Sequence, residues 1–201
     1  MFRKVLLSLF IALPLIVNAQ SYADGLLAWR QEYTESLLQG NHPLKPDDTS
    51  YLRFYAPDPK YKVQGEFVKS SVINPFLLGV KHGGTNKAVR YYGNVYLNMD
   101  GATMTLYIFQ FMGHENDSDY DKLFIPFRDR TNYKETFEGG RYIDLLVSDI
   151  KDNRVVIDFN KSYNPHTAYE KGYPYIIPPP ANNLLIEIRA GEKIFGHDPG
   201  Y

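Results

Sequence analysis

From Tyr51 to Arg189 the apolar residues fall in short runs with a period of two, and that period decides the fold class. Runs at Tyr51–Tyr55, Tyr61–Val68, Ala88–Leu97, Thr103–Met112, Leu123–Phe127, Arg141–Val147, Arg154–Phe159 and Leu184–Arg189 are separated by Pro, Gly or Asn. Asp100-Gly101 is a two-residue hairpin signal between two of them. The run Thr103–Met112 is continuously apolar or β-branched, which predicts a central strand covered on both faces. A turn at Asp152-Asn153 joins the strands 141–147 and 154–159. About nine short strands after one helix predict a mainly β fold, an antiparallel sandwich or partly closed barrel with one N-terminal helix.

That helix is expected over Tyr22–Gln39, with Gly40 as its stop. Trp29 and Tyr33 stand four apart on one face, a stripe that reads as docking against the sheet. Residues 41–50, with Pro43 and Pro46, read as a linker. Ahead of the helix, Arg3 and Lys4 precede an apolar run from Val5 to Val17, and Val17-Asn18-Ala19 offers a cleavage site before Gln20. That run is shorter than a membrane span and carries Pro14. The expected organisation is a signal peptide at 1–19, helix and linker at 20–50, one β-rich domain at 51–195 and a tail at 196–201. The expected location is the periplasm or the medium, without membrane insertion after cleavage.

The chain has no cysteine, so disulfides, thiol catalysis, Cys-zinc sites and a bacterial lipid anchor are excluded. A chain of 201 residues buries enough surface to fold without such staples. A net charge of −1 argues against a nucleic-acid partner. There is no G-x-S-x-G, no phosphate-binding glycine loop and no H-E-x-x-H. The five histidines are scattered singly, and no metal or cofactor is expected. Asp117, Asp119 and Asp121 alternate as in a calcium loop, but Lys122 and Arg128 stand where that loop needs Gly and Glu. The stretch reads as a solvated connection. Asn116 and Asn160 begin N-x-S/T triplets, which matter only where exported proteins are glycosylated.

The C-terminal third sets polar residues beside strand-like runs in Gly- and Pro-rich turns. Arg141, Asp158 and Glu192 are candidates to meet at one end of the sheet, with Asn160 and Asn164 supplying amides. Arg141 offers a planar fork for a carboxylate or phosphate, and Tyr163 and Tyr169 offer rings for stacking. The candidate ligand site is therefore Arg141, Asp158, Asn160, Tyr163, Asn164 and Glu192. The alternative stays open that Arg141 and Asp158 form an internal ion pair and the asparagines satisfy backbone.

The succession L-F-I-P-F-R-D, E-G-G-R-Y, I-D-F-N-K-S-Y-N-P, I-P-P-P-A-N-N-L and R-A-G-E-K, from Leu123 to Lys193, resembles the domain of unknown function 1684 family. A-W-R at Trp29 is similar to that family's N-terminal start. The resemblance implies a mostly bacterial family without an established activity. It marks Thr136, Gly139, Gly140, Arg141, Asp158, Asn160, Tyr163, Asn164, Pro165, Pro179, Asn182 and Glu192 as pattern positions without assigning roles. It also implies a pair of cysteines that this chain lacks: Thr167 and Tyr175 stand in those places.

Three functional readings follow. The leading one is an exported domain that binds a small polar or anionic ligand in a pocket. The second is a hydrolase with Asp158 and Glu192 as general acid and base. The third is a cell-envelope interaction module that uses surface tyrosines and the loop at 113–121.

Overall fold

The computed structural model describes residues 12–39, 44–82, 86–112 and 120–196, with side chains from residue 20 onward. Helix α1 (Ala12–Leu37) comes first, and nine strands follow. They are β1 (Lys62–Lys69), β2 (Phe76–Leu78), β3 (Val80–Lys81), β4 (Lys87–Met99), β5 (Ala102–Phe111), β6 (Lys122–Phe127), β7 (Arg141–Leu146), β8 (Arg154–Asp158) and β9 (Tyr175–Ile176). Six strands form one path in the order β7-β6-β5-β4-β1-β8, and β2 is added to β4. All pairings are antiparallel, and β3 and β9 make a separate two-stranded ribbon. The main sheet curls into a half-barrel that carries the N-terminal helix, which is the mainly β architecture expected.

The β4–β5 hairpin turns at Asp100 and Gly101, both with positive φ (52° and 77°), as its two-residue loop requires. Along β5, Leu106 and Ile108 face the main core while Phe109 faces the other side of the sheet. The same alternation puts Ile125 and Ile143 inside and Phe124 and Tyr142 outside, because successive side chains of a strand point oppositely. Leu78, Ile176 and Val80 of β2, β9 and β3 cover that outer cluster. The central strand is thus apolar on both faces because both faces are roofed.

Two expected strands take another form. Tyr51 ends a 3-10 helix (Pro46–Tyr51), and residues 52–55 make only a single bridge, Phe54 to Glu192. Their backbone partners are Gly191, Lys193 and Gly196, an uneven register that Gly191 (φ 75°) breaks. Leu184–Arg189 has no continuous ladder, yet its alternation is real: Leu184, Ile186, Ile188 and Ala190 all pack on the main core. Single bonds, Arg130 N–H to the Ile186 carbonyl among them, hold it beside the loop after β6. The short strands β2, β3 and β9 lie below the length at which alternation can be read.

The helix begins ten residues earlier than expected and runs unbroken through residues 12–21. Gly40, its expected stop, lies outside the described residues, as does most of the acidic stretch 113–121. Leu26, Arg30 and Leu37 are buried, with Tyr22, Trp29 and Tyr33 half-buried beside them, so the inward face has helical spacing. No described helix is long and apolar enough to cross a membrane.

Candidate functional site

Arg141 opens β7 as the register partner of Phe127, the last residue of β6. The loop leaving β6 therefore returns Asp129 to Arg141, and the two pair at 2.8 Å with neither side chain exposed. The guanidinium donates to three carbonyls as well: Ile188 at 2.9 Å, Glu192 at 3.2 Å, and Ala190. Asp129 also accepts from the Thr131 amide and hydroxyl and from the Ile188 amide. One buried ion pair thus fastens the segment 188–192 to the β6–β7 hairpin. The open alternative of an internal partner for Arg141 is met, but by Asp129 rather than Asp158.

Asp158 closes β8 on the opposite edge of the sheet path. It is half-buried, caps the 3-10 turn Phe159–Lys161 through the Asn160 amide, and accepts from the Tyr22 hydroxyl at 2.9 Å. Asn160 is wholly buried and clamps the Asp58 peptide from both sides, at 3.0 and 2.9 Å. Its amide is spent on the Asp58 backbone and on the Asp158 carboxylate, to which Nδ2 donates at 3.1 Å.

Glu192 has no exposed surface. Its carboxyl accepts from the Asn164 amide (2.9 Å), the Tyr169 hydroxyl (2.8 Å) and the Tyr33 hydroxyl (3.2 Å). The Tyr33 and Tyr169 hydroxyls stand 2.8 Å apart. No cation reaches this carboxyl among the described residues, because Arg141 bonds to the Glu192 carbonyl instead. Burial pushes the carboxyl up to about 7, against the pull of its donors. Gly191 makes the geometry possible, since a Cβ there would stand 2.6 Å from the Ser162 carbonyl oxygen. Asn164 spends its Nδ2 on the Lys193 carbonyl, and its Oδ1 is buried without a partner among the described residues.

Asp158 and Glu192 therefore share no partner. They are held by Tyr22 and Tyr33, eleven residues apart on α1, or about 16 Å along the helix axis at 1.5 Å per residue. A fully enclosed Glu192 does not face a substrate together with Asp158. The six sequence candidates thus divide: Arg141, Asn160, Asn164 and Glu192 lie inside the fold, whereas Asp158 and Tyr163 line open grooves.

The larger groove runs between α1 and the sheet edges, with a volume of about 580 Å³. Tyr22 and Gly25 of α1 form one wall, Asp144 of β7 and Asp158 of β8 stand opposite, and Lys62, Lys151 and Lys161 project from three separate segments. Its carboxylates are engaged by protein donors. Asp158 holds Tyr22, Asp149 accepts from the Leu146 amide, and Asp144 accepts from the Tyr163 hydroxyl. The three ammonium groups make no ion pair among the described residues. Lys62 rests over the Tyr22 ring at 5.2 Å and Lys161 over the Trp29 ring at 5.7 Å. A second groove of about 380 Å³ lies further along α1 and shares Asp144 with the first.

Other pattern residues also tie segments of the chain together. Asn182 bridges the Tyr107 amide and carbonyl and the Pro126 carbonyl, and Thr136 bonds to Thr131 and Asn132. Thr167 is buried with a hydroxyl that has no partner among the described residues, and Tyr175 packs edge-on to Phe137. Sequence reasoning missed Asp129, although it stands in the quoted L-F-I-P-F-R-D run. The groove lysines carry no local signal, because only the tertiary fold assembles them. Among the described residues no group of three His, Asp or Glu is placed to hold a metal.

Together these features define a β half-barrel whose recurrent polar residues knot the backbone and whose open chemistry lies along one helix. The family model described as "Protein of unknown function (DUF1684)" matches residues 48–193, and the chain belongs to this family. The match reaches well beyond the motif-bearing third to take in every strand. A solution NMR structure of an uncharacterized protein from Haloarcula marismortui is similar to this chain. The two share 25% identity and a TM-score of 0.68 over 88% of this chain and 96% of that one. No curated protein matches.

Proposed function

We propose that the larger groove binds a small anionic molecule. The supporting observation is its asymmetry of engagement: Lys62, Lys151 and Lys161 line the space without an ion pair among the described residues, whereas the carboxylates there already hold protein donors. A volume of about 580 Å³ falls in the range of small-molecule sites. Lysine suits such a role because its ammonium is a mobile donor that adapts to different anionic groups. Arg141 plays no part in this reading.

Citrate serves as the probe in an amide NMR titration. Shifts are expected at residues 20–26, 143–151 and 156–161. Replacing Lys62, Lys151 and Lys161 together by Ala should weaken binding roughly tenfold or more, as up to about 1 kcal/mol per exposed charge pair allows. The three lysines are exposed, so the variant should fold. Unchanged affinity in that variant, or shifts confined to other regions, would refute the proposal.

We also propose export, supported by the basic start, the apolar run and the small residues before Gln20. Cleavage after Ala19 would keep Ser21 and Tyr22, and with them the groove wall. N-terminal sequencing of protein recovered outside the cytoplasm is expected to begin at Gln20. A chain recovered only from the cytoplasm with its first residues intact would count against it.

A further inference from the structure

The second groove differs from the first in chemistry. Its walls are the rings of Trp29, Tyr33 and Tyr163, with His166 at one side and the carboxylates of Glu32 and Asp144 at the rim. Trp29 and Tyr33 are stacked with centroids 5.4 Å apart, and Tyr163 leans on Tyr33 at 5.6 Å, so the aromatic wall is continuous. Glu32 is exposed, and no carboxylate contact to a described residue engages it. Asp144 uses Oδ1 to accept from Tyr163, its Oδ2 has no hydrogen-bond partner among the described residues, and Lys122 acts on it only as a nearby charge. No lysine or arginine lines the space. The chain's own behaviour shows what this wall attracts, since the Lys161 ammonium reaches across from the neighbouring groove to lie over Trp29.

We propose that this second groove is a binding site for a small organic cation, an alkylated ammonium seated against Trp29, Tyr33 and Tyr163 and balanced by Glu32 and Asp144. Aromatic faces carry negative potential, and an alkylammonium, less hydrated than a bare ammonium, loses little on leaving water for them. Two carboxylates then supply the net charge. The proposal is independent of anion binding in the larger groove, although Asp144 borders both.

Trp29 is the chain's one tryptophan, so emission excited beyond the tyrosine absorption band comes from the wall of this groove. The probe is choline, compared with 3,3-dimethyl-1-butanol, its uncharged carbon isostere. Choline is expected to give a saturable change in emission, with the isostere at least roughly tenfold weaker. Glu32→Gln and Asp144→Asn, both at exposed positions, should each weaken choline several-fold while far-UV circular dichroism stays unchanged. In the variant lacking Lys62, Lys151 and Lys161, choline binding should persist or tighten, because Lys161 no longer competes for Trp29. Co-sedimentation with phosphatidylcholine vesicles separates a free cation from a lipid headgroup. Retention that Glu32→Gln abolishes assigns the cation to a lipid, and choline binding without retention assigns it to a soluble molecule. No saturable response to choline, an equal response to the isostere, or affinity untouched by both carboxylate substitutions would overturn the proposal.

Discussion

Replacing Arg141 by Met is expected to destabilise the protein by about 3–5 kcal/mol, measured by urea unfolding. The loss arises because the substitution leaves the Asp129 carboxyl without its charge partner at a site without solvent and strips three carbonyls of their donor. Asp129→Asn should be comparably damaging, since it strands the guanidinium instead. Arg141→Lys keeps the charge, but a single ammonium cannot serve Asp129 and the carbonyls of Ile188, Ala190 and Glu192 together, so most of the loss should remain. The double variant Arg141→Met, Asp129→Leu should lose less than the two single losses combined, because neither charge is then left alone. Asp158→Asn is the contrast. Asp158 is half-buried and its partners are Tyr22 and Asn160, so a loss near 1 kcal/mol is expected. If Asp158→Asn proved the costlier change, the pairing described here would be wrong.

That contrast shows where sequence reading reached and where it stopped. An arginine at the head of an apolar strand requires a buried partner, and that requirement is visible in the sequence. Which aspartate meets it depends on strand pairing. Once β6 and β7 are seen as antiparallel neighbours with Phe127 opposite Arg141, Asp129 becomes the near residue, while Asp158 lies on the far edge strand. Period two likewise identified Leu184–Arg189 as extended and told its inner face from its outer one. It could not reveal that the segment lies on the core without joining a ladder. Asn160 and Asn182 read equally well as ligand amides or as backbone clamps, because both roles need a short side chain with one donor and one acceptor. Only the positions of Asp58 and Tyr107 decide it. The grooves were illegible for another reason: Lys62 lies far along the chain from Lys151 and Lys161, and no periodicity links the three.

Between pH 5 and pH 8 the protein is expected to lose about 3 kcal/mol of stability through Glu192 alone. Its carboxyl is pushed from 4.5 up to about 7 by burial. Between those values the folded chain holds a proton that the unfolded chain has released. Stability from this group is therefore fully present below about 4.5, falls as pH rises, and is lost above about 7. Tyr33 and Tyr169 remain neutral throughout, since burial, followed by the nearby Glu192 charge, raises both phenols well above their ordinary value. They stay available as donors, but two phenols and one amide do not replace the water that an ionised carboxylate gives up. Because Tyr33 belongs to α1, the strain of ionisation falls on the contact between the helix and the 163–169 segment. Urea unfolding of the wild type and Glu192→Gln across this range isolates the effect, as the other titrating groups cancel in the difference. The wild type should lose stability relative to the variant as pH rises, with the slope confined to about 4.5–7. A flat difference would mean that Glu192 stays ionised across the range, held so by its three donors.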